Sequence, residues 1–301
     1  MNAVSSIAAV PASVGVDHSR VFIREEFTPL FHTSGYALLP AAARLRYNQL
    51  HALYFNEQIT FFEQEMLSPA LVGLMNSELP ADLAESVRLF HDEEQQHTAM
   101  FRSLNRQCAP AFYGEREYFF IRVPAPCRAL LGQIASRPHV FPLLLWLALL
   151  QEERSLYYSK GCLDRAHELE PHFVAVHRSH LADEVGHIGW DGDLLDWLWP
   201  RSSSARRQGN VWLLNWAIRE FFLLPKRSGV RVVQQLVREF PHLDACGLFR
   251  GMHELKSRPD YLRSLYSRQV TPRSFARFDA HPEFALLART LPGYRPPGYS
   301  L

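Results

Sequence analysis

The chain has 301 residues, 47% of them apolar, and its 32 basic side chains nearly cancel its 31 acidic ones. That balance excludes the basic footprint of a nucleic-acid or anionic-membrane binder, and the apolar share suffices for a large core in one domain or two. The four cysteines, Cys108, Cys127, Cys162 and Cys246, are scattered with no C-x-x-C pair, which predicts reduced, buried thiols in a cytoplasmic protein rather than a disulfide scaffold.

Residues 1–20 are small and apolar with no basic stretch before them, the pattern of a flexible tail and not of a secretory signal. Apolar periodicity then predicts a long helix over residues 40–75, through Leu53, Ile59, Phe62, Met66 and Leu71. Pro80 opens a second helix that runs to about residue 106, since a first-turn proline gives up a donor the helix does not use. Residues 114–126, aromatic and β-branched between Gly and Pro, read as a connector with an extended stretch. A third helix is predicted over 139–167. Its residues 140–150 are the longest apolar run, short of the roughly 20 residues a membrane span needs, and so mark a fully buried helix. Pro171 opens a fourth helix, ending before Pro200. Residues 201–209, rich in Ser and Arg, read as a surface loop. Further helices follow at 210–224, 230–240, 243–256 and 259–267, and then an irregular tail from Pro292. The expected fold is all-α: a single domain over residues 21–301, with a four-helix bundle over about 40–200 and packing helices over 210–290.

The fourth helix contains His180-Leu-Ala-Asp-Glu184-Val-Gly-His187. Spacings of four and three put His180, Glu184 and His187 on one stripe, about 10 Å long. The second helix carries Glu93-Glu94-Gln-Gln-His97, with Glu94 and His97 again on one face. A lone E-x-x-H arises by chance roughly once in a chain this long, and alone it reads as a solvated ion pair. Two of them on two long helices supply half of a di-iron carboxylate bundle, which also needs one Glu from each remaining helix. Imidazole and carboxylate together suit iron, manganese or zinc, and spare carboxylates favour redox iron.

On the third helix the candidates are Glu152 and Glu153. Glu153 shares its face with Trp146, Leu149, Leu150, Leu156 and Tyr157, whereas Glu152 lies with Leu145, Ala148, Ser155 and Ser159. A carboxylate on the more apolar stripe is costly unless paired or metal-bound, so Glu153 is the expected ligand. On the first helix Glu57, Glu63 and Glu65 compete. In a hairpin turning near Glu78, Glu63 lies almost as far before the turn as Glu94 lies beyond it, which favours Glu63 over Glu57. Metal-bound histidines usually donate their second N–H to a carboxylate. Asp183 is the expected partner of His97 and Glu93 that of His187, with exposed helix charge as the alternative for each.

The order E, E-x-x-H, E, H-x-x-x-E-x-x-H, formed by Glu63, Glu94, His97, Glu153, His180, Glu184 and His187, resembles the p-aminobenzoate N-oxygenase (AurF-type) family over about residues 50–190. The third histidine, His180, separates this pattern from ordinary two-histidine ferritin-like sites. The resemblance implies a ferritin-like bundle whose four carboxylates and three histidines hold two Fe(II) ions, bind O2 and form a peroxo-type species. It further implies stepwise oxygenation of a small-molecule amine to hydroxylamine, nitroso or nitro in natural-product biosynthesis, with electrons from an external reductase or ferredoxin-type donor. The same ligands also support C-hydroxylation, desaturation or C–C cleavage. From a different class, a ferroxidase or metal-storage protein shares them, although storage has no use for the long C-terminal run of apolar helix. The aromatic run from Trp212 to Phe222 reads first as core, otherwise as pocket lining or a homodimer interface. Arg154 and Arg219 are conceivable anchors for an acidic substrate, with a surface or structural role the better reading of either.

Overall fold

Prolines and capping side chains set where the helices of this chain begin, and their lengths build a bundle. The computed structural model describes residues 15–296. The first long segment is α1 (Ala41–Phe62), a π-helical turn (Glu63–Leu67) and α2 (Ser68–Met75). It is followed by α3 (Ala81–Cys108), the connecting helix α4 (Ala125–Ala135), α5 (Leu143–Asp164) and α6 (Pro171–Leu198). Cross-helix pairs fix the register. Asn56 meets Asn105 and Glu63 meets Thr98 between the first segment and α3, while Ser155 meets His180 and Ser159 meets His177 between α5 and α6. In each case rising numbers meet falling ones, so both hairpins are antiparallel. Among the described residues no strand forms, only the isolated bridges Val21–Leu169 and Ser267–Gly293. This is an all-α, ferritin-like bundle with additional C-terminal helices.

The first segment is not the single helix that periodicity predicts. Pro69 has no N–H to offer the carbonyl of Glu65, so the α-helical ladder cannot run through it. The ladder widens over Glu63–Leu67 instead, and such turns recur at functional sites. At α6, Pro171 occupies the first turn and Glu170 caps it, accepting from the backbone N–H groups of His172 (2.7 Å) and Phe173 (3.0 Å). The apolar run is buried from Leu143 to Leu150. Its helix starts later than predicted because Asn210 holds the turn before it, accepting from Leu143 N–H and donating to the Val140 carbonyl.

Beyond the bundle lie α7 (Ser204–Ala217), a second π-helical turn (Ile218–Phe222), α8 (Ser228–Glu239), α9 (Ala245–Glu254), α10 (Pro259–Leu265) and α11 (Pro272–Asp279). α8 packs on α1, and α7 and α11 pack on α5. The expected surface loop at 201–209 is in fact the start of α7: the serines there are capping residues, and Ser203 Oγ accepts from Arg206 N–H.

The expected tail over residues 1–20 falls for the most part outside the described residues. Its last residues are tied down: Arg20 donates to the carbonyls of His167 and Leu169, and Asp17 N–H to Glu170. Of the cysteines expected to be buried, Cys108 and Cys162 are, whereas Cys127 and Cys246 are exposed; none forms a disulfide. No helix among the described residues is long and apolar enough to cross a membrane.

Candidate metal centre

Glu63, Glu94, His97, Glu152, His180, Glu184 and His187 converge inside the bundle from all four of its long segments, and none is more than 5% exposed. Their donor atoms form three overlapping groups: Glu63, His97 and His180; Glu94, His97 and His187; Glu152, Glu184 and His187. Within each group the atoms lie within 4.8 Å of one another. Glu94 Oε1 is 3.0 Å from His187 Nδ1 and 4.0 Å from His97 Nδ1. Glu184 Oε1 is 2.7 Å from His180 Nε2 and 3.9 Å from His187 Nδ1. These two glutamates therefore lie between imidazoles, where carboxylates shared by two cations would sit.

The fit to metal rests on orphaned atoms. Both carboxylate oxygens of Glu94 and of Glu184, Nδ1 of His97 and of His187, and Nε2 of His180 are buried with no hydrogen-bond partner. The short contacts among them lack hydrogen-bond alignment, so these atoms do not satisfy one another. An unsatisfied buried polar group costs about 1–3 kcal/mol, and native proteins do not gather so many of them without a ligand. The opposite edge of each ring is fixed. His97 Nε2 lies 3.1 Å from Asp183 and His187 Nε2 lies 3.0 Å from Glu93. His180 Nδ1 lies 3.4 Å from Ser155 Oγ. With the inner nitrogens as ligands, these outer N–H groups are the donors, the arrangement that locks tautomer and ring plane. Asp183 and Glu93 are part-exposed, at 39% and 31%.

Burial and crowded like charges raise several of these groups when no cation neutralises them. Burial, and then the charges of Glu63 and Glu152, push the Glu94 carboxyl well above its usual range. Burial and then Glu152 push Glu184 up to about 8. Burial also opposes ionisation of Glu152, but the neighbouring Glu184 and His187 outweigh it and hold Glu152 at about 2. His180 and His187 are raised despite burial, chiefly by Glu184 for the first and by Glu152 for the second.

Glu153 does not join the cluster, which corrects the expectation that it is the ligand of the third helix. Its carboxylate points the other way and caps α11, accepting from the backbone N–H groups of Arg273 and Ser274, each at 2.7 Å. The apolar stripe that carries it faces the C-terminal helices, with Trp146 against Phe278 and Phe284. Its neighbour Glu152, on the stripe of small residues, faces the cluster. Glu57 is likewise occupied: it accepts from the Tyr113 hydroxyl (2.6 Å) and from the N–H groups of Phe119, Phe120 and Ile121. Glu57→Ala is expected to leave metal content unchanged while lowering stability by about 3 kcal/mol through stranded connector N–H groups. Metal analysis and urea unfolding check both halves. Glu65 pairs with Arg128 at 3.6 Å.

Two buried residues on the α6 stripe extend the pattern beyond the sequence motif. His177 sits one turn before His180, bonded to Ser159 Oγ at 3.1 Å and held near a pKa of about 3 by burial. Asp191 lies one turn beyond His187, with both oxygens unpartnered, and burial raises its carboxyl well above the usual range. Their spacing of three and four from the motif is the signal that could have found them.

A cavity ends on this cluster. Glu63, Glu152 and His180 form its inner wall, and Phe55, Phe62 and Phe222 its apolar sides. Phe222 comes from the second π-helical turn, so the expected core reading of the Trp212 to Phe222 run is corrected: Trp212, Trp216 and Phe221 are exposed.

A four-helix bundle with buried carboxylates on all four segments and imidazoles on two of them defines the class of carboxylate di-metal proteins. The family model of p-aminobenzoate N-oxygenase AurF matches residues 9–246. The chain belongs to that family of di-iron oxygenases. Compared with curated proteins, it matches none significantly.

Proposed function

We propose that the protein oxygenates an amine nitrogen with O2 at a di-iron centre held by Glu63, Glu94, His97, Glu152, His180, Glu184 and His187. The observation that carries this reading is a cavity with apolar sides ending on a three-imidazole, four-carboxylate cluster, in a chain of the N-oxygenase family. The chemistry the bound irons supply is reduction of O2 and transfer of one oxygen atom. In the first step the amine nitrogen gains an N–O bond and the second oxygen atom leaves as water. Two electrons, from an external reductase or ferredoxin-type donor, and two protons balance it.

The protein's own contribution is positional. Asp183 and Glu93 fix the rings of His97 and His187, and Ser155 that of His180. Thr98 Oγ1 donates to Glu63 Oε2 at 3.1 Å and sets its carboxylate. Phe55, Phe62 and Phe222 keep bulk water from the cavity and hold an apolar substrate body with its nitrogen toward Glu63, Glu152 and His180. An aromatic-sided cavity suits an organic substrate better than it suits passage of a hydrated ion, which favours oxygenation over iron storage.

The test is a single turnover of Fe(II)-loaded protein with oxygen-18 gas and a panel of aryl and alkyl amines. The expected result is an amine product heavier by one oxygen-18 atom. Rapid iron oxidation with no labelled nitrogen product from any amine contradicts the reading.

A further inference from the structure

The cavity that ends on Glu63, Glu152 and His180 has a volume of about 40 Å³, and a neighbouring one, lined by His51, Tyr54 and Tyr261, about 30 Å³. A water needs roughly 10–15 Å³, and an apolar cavity that takes one benzene has about 150 Å³. Either space therefore holds a few waters, and neither holds an aryl ring. A ring-bearing molecule reaches the cluster only if a wall moves, and the packing shows which. Phe55, Gln58, Arg154 and Phe222 line both spaces. Phe55 and Gln58 belong to α1 and Arg154 to α5, inside the bundle. Phe55 is buried and stacks on Tyr158 with ring centroids 5.4 Å apart, and the buried Arg154 donates to the Tyr266 hydroxyl at 3.2 Å. Phe222 alone of the four stands outside the bundle, at the end of the second π-helical turn.

The segment that carries Phe222 is held by little but itself. Among the described residues no hydrogen bond ties residues 219–227 to the four bundle segments: Leu223 N–H donates to the Ile218 carbonyl, Lys226 N–H to that of Leu224, and the Lys226 carbonyl accepts from Gly229. Its ion pair, Lys226 with Glu220 at 2.9 Å, closes the segment on itself at the surface. Arg227 has a φ of 34°, in the left-handed region where a side chain is strained. Ile218 and Leu223 are buried and bracket the turn, whereas Phe221 between them is 48% exposed, so outward movement there meets solvent and not packed chain. Stretches with few ties to the core are the ones that open at the lowest free energy.

We infer that Phe222 is the gate of the metal cavity and selects by size: two- and three-atom ligands pass it as it stands, and ring-bearing molecules enter only when the π-helical turn swings it outward. That displacement widens both spaces at once, because Phe222 lines both. Returned against a bound ring, Phe222 shuts bulk water out again, so one side chain sets which molecules reach the cluster and when the cluster is sealed. The inference rests on the oxygenase reading only for the presence of iron at the cluster.

The test measures access without turnover. Iron-loaded, air-oxidised protein is mixed in a stopped-flow spectrometer with azide or with phenol, each of which gives a coloured charge-transfer complex on iron(III). In the wild-type protein phenol is expected to react at a saturating rate at least about tenfold below that of azide. Phe222→Ala should raise the phenol rate about tenfold or more and change the azide rate less than about twofold. Phe222→Leu should do so in part, and Lys226→Ala, which frees the segment without touching a cavity wall, should raise the phenol rate alone. Metal analysis and thermal melts verify loading and folding of each variant. Phenol as fast as azide in the wild-type protein, equal acceleration of both by Phe222→Ala, or no effect on phenol in either Phe222 variant overturns the inference. Hydrogen exchange of the metal-free protein reads the segment without iron: amides of residues 219–227 are expected to exchange at least about 100-fold faster than those of α5, and equal protection also overturns it. Since neither probe is an amine, these outcomes are independent of whether nitrogen is oxygenated.

Discussion

Glu152→Ala is expected to lose one of two tightly bound irons, whereas Glu153→Ala keeps both and unfolds earlier. The two side chains are adjacent on α5 and both buried, yet they serve opposite faces. Glu152 shares a group with Glu184 and His187, so its removal takes a charged oxygen donor from one cation. The loss in affinity there should exceed the roughly 10- to 100-fold that removal of an outer hydrogen-bond partner costs. Glu153 instead satisfies two N–H groups at the start of α11. Its truncation strands both in a buried setting and removes an anion from a helix N-terminus, together about 2–4 kcal/mol. Iron analysis after reconstitution and urea unfolding of the same samples read the two effects separately. Two irons in Glu152→Ala and one in Glu153→Ala would reverse the assignment.

The metal-free protein is expected to lose stability as pH rises from about 6.5 to about 8, and metal loading should abolish that loss. Glu184 is raised from the ordinary 4.5 to about 8, and Glu94, His180 and His187 are raised as well. A group raised by folding binds a proton in the native state that the unfolded chain has released. Its stabilisation is complete below the unfolded value and is lost as pH climbs through the folded one. Each unit of pH across that window costs about 1.4 kcal/mol per extra proton held. Glu152 is shifted the other way, to about 2, and the buried His51 and His177 are lowered to about 3, so their opposing contributions change below about pH 6.5, outside this window. Divalent ions displace the stored protons; metal affinity therefore increases with pH over the same range. Melting temperatures of metal-free and Mn(II)-loaded protein between pH 6 and 9, with proton release measured by calorimetry in two buffers, check both signs. A flat profile for the metal-free protein contradicts a proton-charged cluster.

The long helices are legible in the sequence because each carries its own start signal and enough turns for periodicity to show. The α6 stripe is legible for the same reason: His180, Glu184 and His187 are bound to one face by local geometry alone. What the sequence hides is non-local. Whether Glu152 or Glu153 faces the cluster depends on which neighbour each stripe of α5 meets, and the neighbour that claims Glu153 is α11, far along the chain. A short helix capped by a side chain from another element shows little of itself locally, which is why periodicity does not predict α11. The π-helical turn that carries Glu63 depends on the effect of Pro69 on the carbonyl ladder behind it, a break that an apolar repeat does not register. Arg154 shows the same gap, since composition reveals a charge but not that it is buried and donates to the Tyr266 hydroxyl at 3.2 Å, with no carboxylate in ion-pair range among the described residues.

The measurement that tests the central claim most directly is a crystal structure of the iron-loaded protein with diffraction recorded on both sides of the iron absorption edge. Two iron peaks are predicted inside the bundle, together ligated by Glu63, Glu94, His97, Glu152, His180, Glu184 and His187, with Glu153 still capping α11. A single peak, no peak, or iron bound by Glu153 in place of Glu152 would contradict that claim.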